Sequence, residues 1–318
     1  MSPMWNHTKK EIMERRKPVI EKTPDAILTA DWHIREDQPV CRTDVFWDTQ
    51  WKKIDFIASL QRQYQCPIIH AGDFFDHWKP SPMLLSKTMQ HIPDDFYTIY
   101  GNHDLPQHNL KLAYKTGIHV LERAGFLRVI KESENFDKFC MYGAHWLQDA
   151  PVPELESQYS KIPTILVWHT MTWQGKEPWH GCTDPASKQL LKKHSEYDLI
   201  LTGHNHKTFV ERHEGRVLLN PGSIFRATAD QDEHRPCVWL WYAEANTVEP
   251  VYIPTTDCIS RTHLEVKQER DNRIEAFIST LNTDWTPELS FEQNMEEFRK
   301  ANNVPEEVMQ LVYESINR

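Results

Sequence analysis

The stretch Asp198-Leu-Ile-Leu-Thr-Gly-His-Asn-His206 decides the reading of the chain. Four mostly apolar residues run into a glycine, and two imidazoles follow, one residue apart. That is the pattern of a buried strand ending in a tight loop, with both rings presented at the strand's C-terminal edge. Alone, His-x-His is a weak signal. It gains weight because four other stretches finish the same way: Asp25-Ala-Ile-Leu-Thr-Ala-Asp31-Trp-His33, Pro67-Ile-Ile-His-Ala-Gly-Asp73-Phe-Phe-Asp76, Phe96-Tyr-Thr-Ile-Tyr-Gly-Asn102-His103-Asp104 and Pro163-Thr-Ile-Leu-Val-Trp-His169.

Helical segments lie between these strands. Trp47, Trp51, Ile54 and Ala58 fall at spacings of three and four, and Asp184 to Ser195 reads as a second helix. Short strands are expected around Phe209–Glu211, Val217–Leu219 and Val238–Trp241. Strand and helix alternate and strand-rich sequence follows, which predicts an α/β fold with sheets packed between helices. Chemistry gathered at strand C-termini is the usual arrangement in such folds.

Three segments are expected. Residues 1–24 are a charged arm, densest from Lys9 to Lys22 and read as a solvated, frayed helix. Residues 25–257 form the catalytic domain, and 258–318 a small capping or partner module of α/β type. In that module Arg261 to Lys267 reads as an amphipathic strand with Leu264 and Val266 on one face. Ile274, Phe277, Ile278 and Leu281 make a helical stripe. Ser290-Phe-Glu-Gln293 is a capping box for a helix carrying Phe291, Met295 and Phe298, and Pro305 opens a last helix with Val308, Leu311 and Val312 on one side.

The chain of 318 residues is long enough for a sizeable core. Its six cysteines are far apart with no Cys-x-x-Cys, which argues against a thiolate zinc site and for reduced, cytosolic thiols. No secretory leader and no bilayer-spanning run is visible, so a soluble cytoplasmic protein without a membrane partner is expected. A formal net charge of −10 argues against a generally basic nucleic-acid-binding surface and leaves room for a local one.

The five strand ends supply Asp31, His33, Asp73, Asn102, His169, His204 and His206. These carboxylate, imidazole and amide donors suit Mn²⁺, Fe²⁺ or Zn²⁺ better than Ca²⁺ or a structural zinc. Seven ligands are too many for one ion and suit two. Two ions roughly 3.5–4 Å apart clamp both oxygens of an in-line phosphoryl displacement. Asp73 is the candidate bridge.

This set resembles the calcineurin-like metallophosphoesterase superfamily. Its signatures stand here, in order, as Asp31-Trp-His33, Gly72-Asp-Phe-Phe-Asp76, Gly101-Asn-His-Asp104, His169 and Gly203-His-Asn-His206. The resemblance implies an αββα four-layer sandwich of two mixed sheets flanked by helices. It implies one metal on Asp31, His33, Asp73 and His206, and a second on Asp73, Asn102, His169 and His204. It implies that a hydroxide shared by the metals attacks phosphorus, that His103 stabilises the transition state or protonates the leaving oxygen, and that Asp104 orients His103. Manganese is the expected ion, with Mg²⁺, Fe²⁺ or Zn²⁺ as alternatives.

Within the superfamily, Gly-Asp-Phe-Phe-Asp76, Pro80-Ser-Pro-Met-Leu-Leu85, Gly-Asn-His-Asp104 and Leu219-Asn-Pro-Gly-Ser223 are similar to the SbcD-type DNA repair nucleases. That likeness implies DNA as substrate and an ABC-type coiled-coil ATPase as partner, with a homodimer as a further expectation. The N-terminal arm and the short chain depart from the usual pattern and would fit a virus- or prophage-encoded relative. A metal-dependent DNA exonuclease or endonuclease is therefore the leading reading. A phosphomonoesterase or cyclic-nucleotide phosphodiesterase on the same site is the alternative, and a non-catalytic scaffold fits a complete ligand set poorly.

Other residues divide between bland and sharp readings. His70 reads as a core histidine, whereas His77 and His145 are candidates to touch substrate phosphate. Trp32 and Trp168 alternate away from the ligands into packing. Trp173 and Trp179 lie in a polar loop after His169, where exposed rings would stack on unpaired bases for about 1–3 kcal/mol per base, or pack on their own loop.

Overall fold

The computed structural model describes residues 23–153, 162–284 and 290–316, and of 275–284, 291 and 314–316 only the backbone. The strands, in chain order, are β1 (Ala26–Thr29), β2 (Ile68–His70), β3 (Phe96–Thr98), β4 (Arg128–Val129), β5 (Ser133–Asn135), β6 (Cys140–Ala144), β7 (Thr164–His169), β8 (Leu199–Gly203), β9 (Phe209–His213), β10 (Arg216–Asn220), β11 (Cys237–Tyr242) and β12 (Thr247–Tyr252). They form two six-stranded sheets, in the orders β12-β11-β1-β2-β3-β4 and β5-β6-β7-β8-β10-β9. In the first sheet β1 to β4 run parallel and β11 and β12 are antiparallel. In the second, β6, β7, β8 and β10 run parallel between antiparallel edge strands. Both sheets are mixed, as expected.

Alternation along the strands builds the layers. Leu28, Ile69, Ile99, Ile165, Val167, Leu199 and Leu201 fill the space between the two sheets. Their neighbours Ile27, Ile68 and Phe96 face outward onto α1 (Phe46–Tyr64), whose Trp51, Ile54 and Ile57 repeat at helical spacing. On the opposite side Leu166, Ile200 and Leu218 meet Leu190 and Leu191 of a shorter helix, Ser187–Lys193, where a helix from Asp184 to Ser195 was expected. Two further helices, Pro82–His91 and Gly117–Arg123, complete the first helical layer. The first of these starts where Ser81 Oγ accepts the Leu84 amide at 3.1 Å and proline occupies the first turn.

The chain divides into two compact units, 1–259 and 260–318. The arm up to residue 22 lies outside the described residues. In the second unit Arg261 to Lys267 is not a strand. It opens the helix Thr262–Asp284, and Leu264 and Val266 are exposed on it. The run is rich in Glu, Lys, Gln and Arg, all good helix formers, and two apolar residues two apart do not outweigh that preference. The described part of this unit is therefore all helix, not α/β. Its second helix, Phe291–Ala301, begins at the expected capping box: Ser290 Oγ accepts the Gln293 amide at 3.3 Å, and Gln293 accepts the Ser290 amide at 2.9 Å. Met295 and Phe298 are buried there. In the last helix, Glu306–Ile316, Met309 is the buried residue, whereas Val308 and Leu311 are exposed. The side chains of Phe277, Ile278, Leu281 and Phe291 lie outside the described residues.

Candidate metal centre

Strands β1, β2 and β3 of one sheet and β7 and β8 of the other end at a common rim. The sheets are joined there by polar contacts. His169 Nδ1–H donates across to the Ala71 carbonyl at 2.7 Å, and the His204 amide donates back to the Asp31 carboxylate at 2.9 Å. The motif glycines permit this approach. A Cβ on Gly72, which has φ +86°, would stand 2.6 Å from His169 Nδ1, and one on Gly101 would stand 2.1 Å from Asp73 Oδ1. Four of the seven expected ligands hold a left-handed backbone: Asp31 (φ 51°), His33 (45°), Asp73 (56°) and His204 (90°). Non-glycine residues are held there only where the surroundings over-determine them, and such strain concentrates at functional sites.

All seven expected ligands come together. Asp31, His33 and His206 form one group, and Asp73, His169 and His204 another, the ligand atoms of each within 4.8 Å of one another. Asn102 Oδ1 joins the second group, 2.9 Å from His204 Nδ1 and 3.1 Å from His169 Nε2. Asp73 lies between the groups, its Oδ2 3.2 Å from His169 Nε2 and 3.7 Å from His33 Nε2. The His33 and His206 Nε2 atoms are 3.0 Å apart. Two imidazole nitrogens so close repel unless a proton or a cation lies between them. The donors converge and none is a thiolate, so the residues fit divalent metal; on the superfamily's pattern Asp31, His33, Asp73 and His206 would hold one ion and Asp73, Asn102, His169 and His204 a second.

Burial and mutual charge set the protonation of this cluster. Burial pushes His204 down to about 4, helped by the neighbouring His169 charge, and His206 down to about 3, helped by His33. Both are neutral and available as ligands. Burial works the same way on His169, but the Asp73 carboxylate more than reverses it and lifts the ring to about 9. The same contact holds Asp73 far below the usual carboxylate range against its own burial. Burial lifts Asp31 to about 6.

His103 stands beside the ligands and is exposed. Its amide donates to Asp73 Oδ1 at 2.9 Å, and its Nδ1 lies 2.8 Å from the backbone carbonyl of Asp76. A carbonyl only accepts, so Nδ1 carries the hydrogen. Asp104 does not orient this ring, contrary to the expectation. Fully buried, its carboxylate accepts the amides of Phe74 (3.2 Å), Phe75 (3.0 Å) and Gly101 (2.9 Å), tying together the loops that follow β2 and β3. Orientation of His103 falls instead to the Asp76 main chain. The Asp76 side chain pairs with Arg35 at 3.2 Å and lies 3.5 Å from His33 Nδ1.

Trp146 escaped the sequence reading. Its ring stacks on that of His204 with centroids 4.7 Å apart and meets His169 edge-on at 5.8 Å. Nothing local marks it, because His204 is 58 positions away in the chain. His70 is a core histidine, donating to or accepting from Thr98 at 2.9 Å. His145 is buried and accepts the Tyr100 amide at 3.1 Å, which makes it a structural support and not a phosphate contact, whereas His77 is exposed. Trp32 packs among His70, Phe74 and Phe96, and Trp168 packs edge-on to His194, away from the metals in both cases. The Trp173 indole donates to the Asp184 backbone carbonyl at 2.9 Å, so that ring packs on its own loop; Trp179 is 51 % exposed.

None of the curated proteins matches the chain. Similar solved structures include a novel archaeal phosphodiesterase at 14% identity, which covers 72% of this chain and 99% of that one with a TM-score of 0.39. The phosphopantetheinyl hydrolase of Mycobacterium tuberculosis is similar at 11% identity over 74% and 99%, with a TM-score of 0.42. Vacuolar protein sorting 29 from Cryptosporidium parvum is similar at 14% over 72% and 97%, with a TM-score of 0.34. Residues 27–240, which hold every expected ligand and both sheets' central strands, match the calcineurin-like phosphoesterase superfamily domain, and the chain belongs to that superfamily.

Proposed function

We propose that the protein is a dinuclear-metal phosphodiesterase that cleaves DNA, with Mn²⁺ as the activating ion. When bound, the ions polarise the phosphoryl oxygens and lower the pKa of an attacking water. The chain's own residues do the rest. Asp73 spans the two ligand groups. His103, with Nδ1–H committed to the Asp76 carbonyl, turns Nε2 to the substrate and, in its doubly protonated form, gives the Nε2 proton to the leaving oxygen and is left as the neutral Nδ1–H ring.

The observation that favours a polyanionic substrate is the charge of the flank beside His103. Residues 77–93 and 105–121 contain no acid in a chain of net charge −10, yet carry Lys79, Lys87, Lys111 and Lys115 with four histidines. The two segments meet where the Gly117 amide donates to the Trp78 carbonyl at 2.9 Å. Lys79, Lys111 and Lys115 are exposed. Each phosphate neutralised by such a residue adds affinity that salt weakens.

The test compares linear double-stranded DNA, single-stranded DNA and bis-p-nitrophenyl phosphate with Mn²⁺, for the native protein and for Lys79→Glu/Lys111→Glu. Native protein should cleave DNA, and the variant should lose at least about tenfold on DNA relative to the small diester, with a shallower salt dependence. Hydrolysis of the small diester with DNA left intact would put a small-substrate hydrolase first.

A further inference from the structure

Twelve non-glycine residues among those described have a left-handed backbone. Four are the ligands named above. Gln65 closes the helix Phe46–Tyr64, Asn303 follows the helix Phe291–Ala301, and Glu214 and Asn246 sit in the hairpins β9–β10 and β11–β12. Asp95 precedes β3, and Gln107 and His108 lie in the loop beyond Asn102. The remaining one, Leu147 at φ 63°, is the only apolar residue of the twelve.

Leu147 occupies the third position of a β-turn, His145 to Gln148, closed by the Gln148 amide on the His145 carbonyl at 3.0 Å. A turn with positive φ at that position calls for glycine or asparagine. The turn is also braced by four hydrogen bonds, one within it and three with Trp168 and Tyr100. The His145 amide donates to Gln148 Oε1 at 3.0 Å, and the Trp168 indole donates to the Gln148 carbonyl at 3.1 Å. The Trp146 amide donates to the Tyr100 carbonyl at 2.9 Å, and the Tyr100 amide donates to His145 Nδ1 at 3.1 Å. The second position, Trp146, lies on the ligand His204 at 4.7 Å. A rigid turn thus holds a strained leucine next in the chain to Trp146, the ring on His204, with 76 % of its surface exposed. Neither packing nor backbone preference accounts for it, since its side chain is not in the core and glycine would fit the backbone better.

We propose that this turn is a substrate-recognition element, in which Leu147 packs against the nucleoside carried by the scissile phosphate while Trp146 backs His204. The inference rests on the phosphodiesterase reading and adds the residue that selects the organic group on phosphorus. An aliphatic side chain offers the flat face of a base a contact that a methyl ester lacks.

The test uses the full chain loaded with Mn²⁺ and two diesters that share a leaving group, thymidine 5′-(p-nitrophenyl phosphate) and methyl p-nitrophenyl phosphate. Leu147→Gly and Leu147→Asn both suit the left-handed backbone, so both fold, and Leu147→Gly melts at the same temperature or higher. The ratio of kcat/KM for the thymidine diester over the methyl diester should fall at least about fivefold in both, the loss expected from one buried aliphatic contact. An unchanged ratio in both variants overturns the inference while leaving the phosphodiesterase reading standing. Failure of the native protein to hydrolyse the thymidine diester while it cleaves DNA overturns the inference alone, and failure on DNA and both diesters overturns both.

Discussion

His103 gives its Nδ1–H to the backbone carbonyl of Asp76 over 2.8 Å, and that one bond fixes which ring nitrogen is free for the substrate. The partner is main chain, so the orientation survives loss of the Asp76 carboxylate. That carboxylate has other work, beside His33 Nδ1 at 3.5 Å and Arg35 at 3.2 Å. Asp76→Asn should therefore weaken metal binding about 10–100-fold, the usual cost of removing a group that supports a ligand. At saturating Mn²⁺, kcat should stay within a few-fold of the native value. Metal titration followed by activity checks both; a large loss of kcat at saturation would place Asp76 in the proton transfer itself.

Asp104 acts through stability. Its two oxygens accept three amides, and asparagine offers one oxygen and turns an NH₂ towards at least one donor. Asp104→Asn should lower stability by about 1–3 kcal/mol per stranded donor. The pH–rate profile of whatever enzyme remains folded should keep its shape. A shifted acid or base limb with an unchanged melting temperature would return Asp104 to a role on His103.

Lys53 gives the fold a pH dependence of its own. It is 2 % exposed in the helix Phe46–Tyr64, and its ammonium donates to the Ile224 carbonyl at 3.1 Å. Burial, with Arg42 nearby, pushes it down to about 7 from 10.5. Between those values the unfolded chain holds a proton that the folded one has lost, so this residue makes stability rise with pH across that window. Below 7 its full cost is present. Lys53→Met should accordingly raise the melting temperature at pH 6, with a gain that shrinks towards pH 10. A gain that grows with pH would contradict the assignment.

Chelation tests the fit of the ions to the crowded donors. Removing divalent metal should lower the melting temperature, because binding to the folded state alone stabilises it by mass action. Restoring Mn²⁺ should recover it. Thermal unfolding with and without chelator measures this, and an unchanged midpoint would mean that the cluster does not hold metal tightly.

The donors that gather at the rim are legible in the sequence because each motif is local. A strand, a glycine and a donor within a few residues state both the backbone and the chemistry, and alternation in Ile27-Leu28 and Ile165-Leu166 states the layers. What escaped lies between motifs. Asp104 reaches Phe74 and Trp146 reaches His204 across 30 and 58 positions, and only the parallel strand order brings those loops together. The short strands β4 and β5, of two and three residues, carry too little pattern to read. Leu264 and Val266 misled because two apolar residues on alternate positions also occur on an exposed helix face.

The most direct measurement is DNA hydrolysis and bound metal, side by side, for native protein and His103→Ala with Mn²⁺. His103 lies within 4.8 Å of donor atoms of His33 and Asp73 but is not among the seven expected ligands, so the variant should keep two equivalents of metal and lose about 10²–10⁴-fold in turnover. Cleavage at the native rate with metal retained would contradict the account of His103 as the proton donor, and loss of metal would make it a ligand.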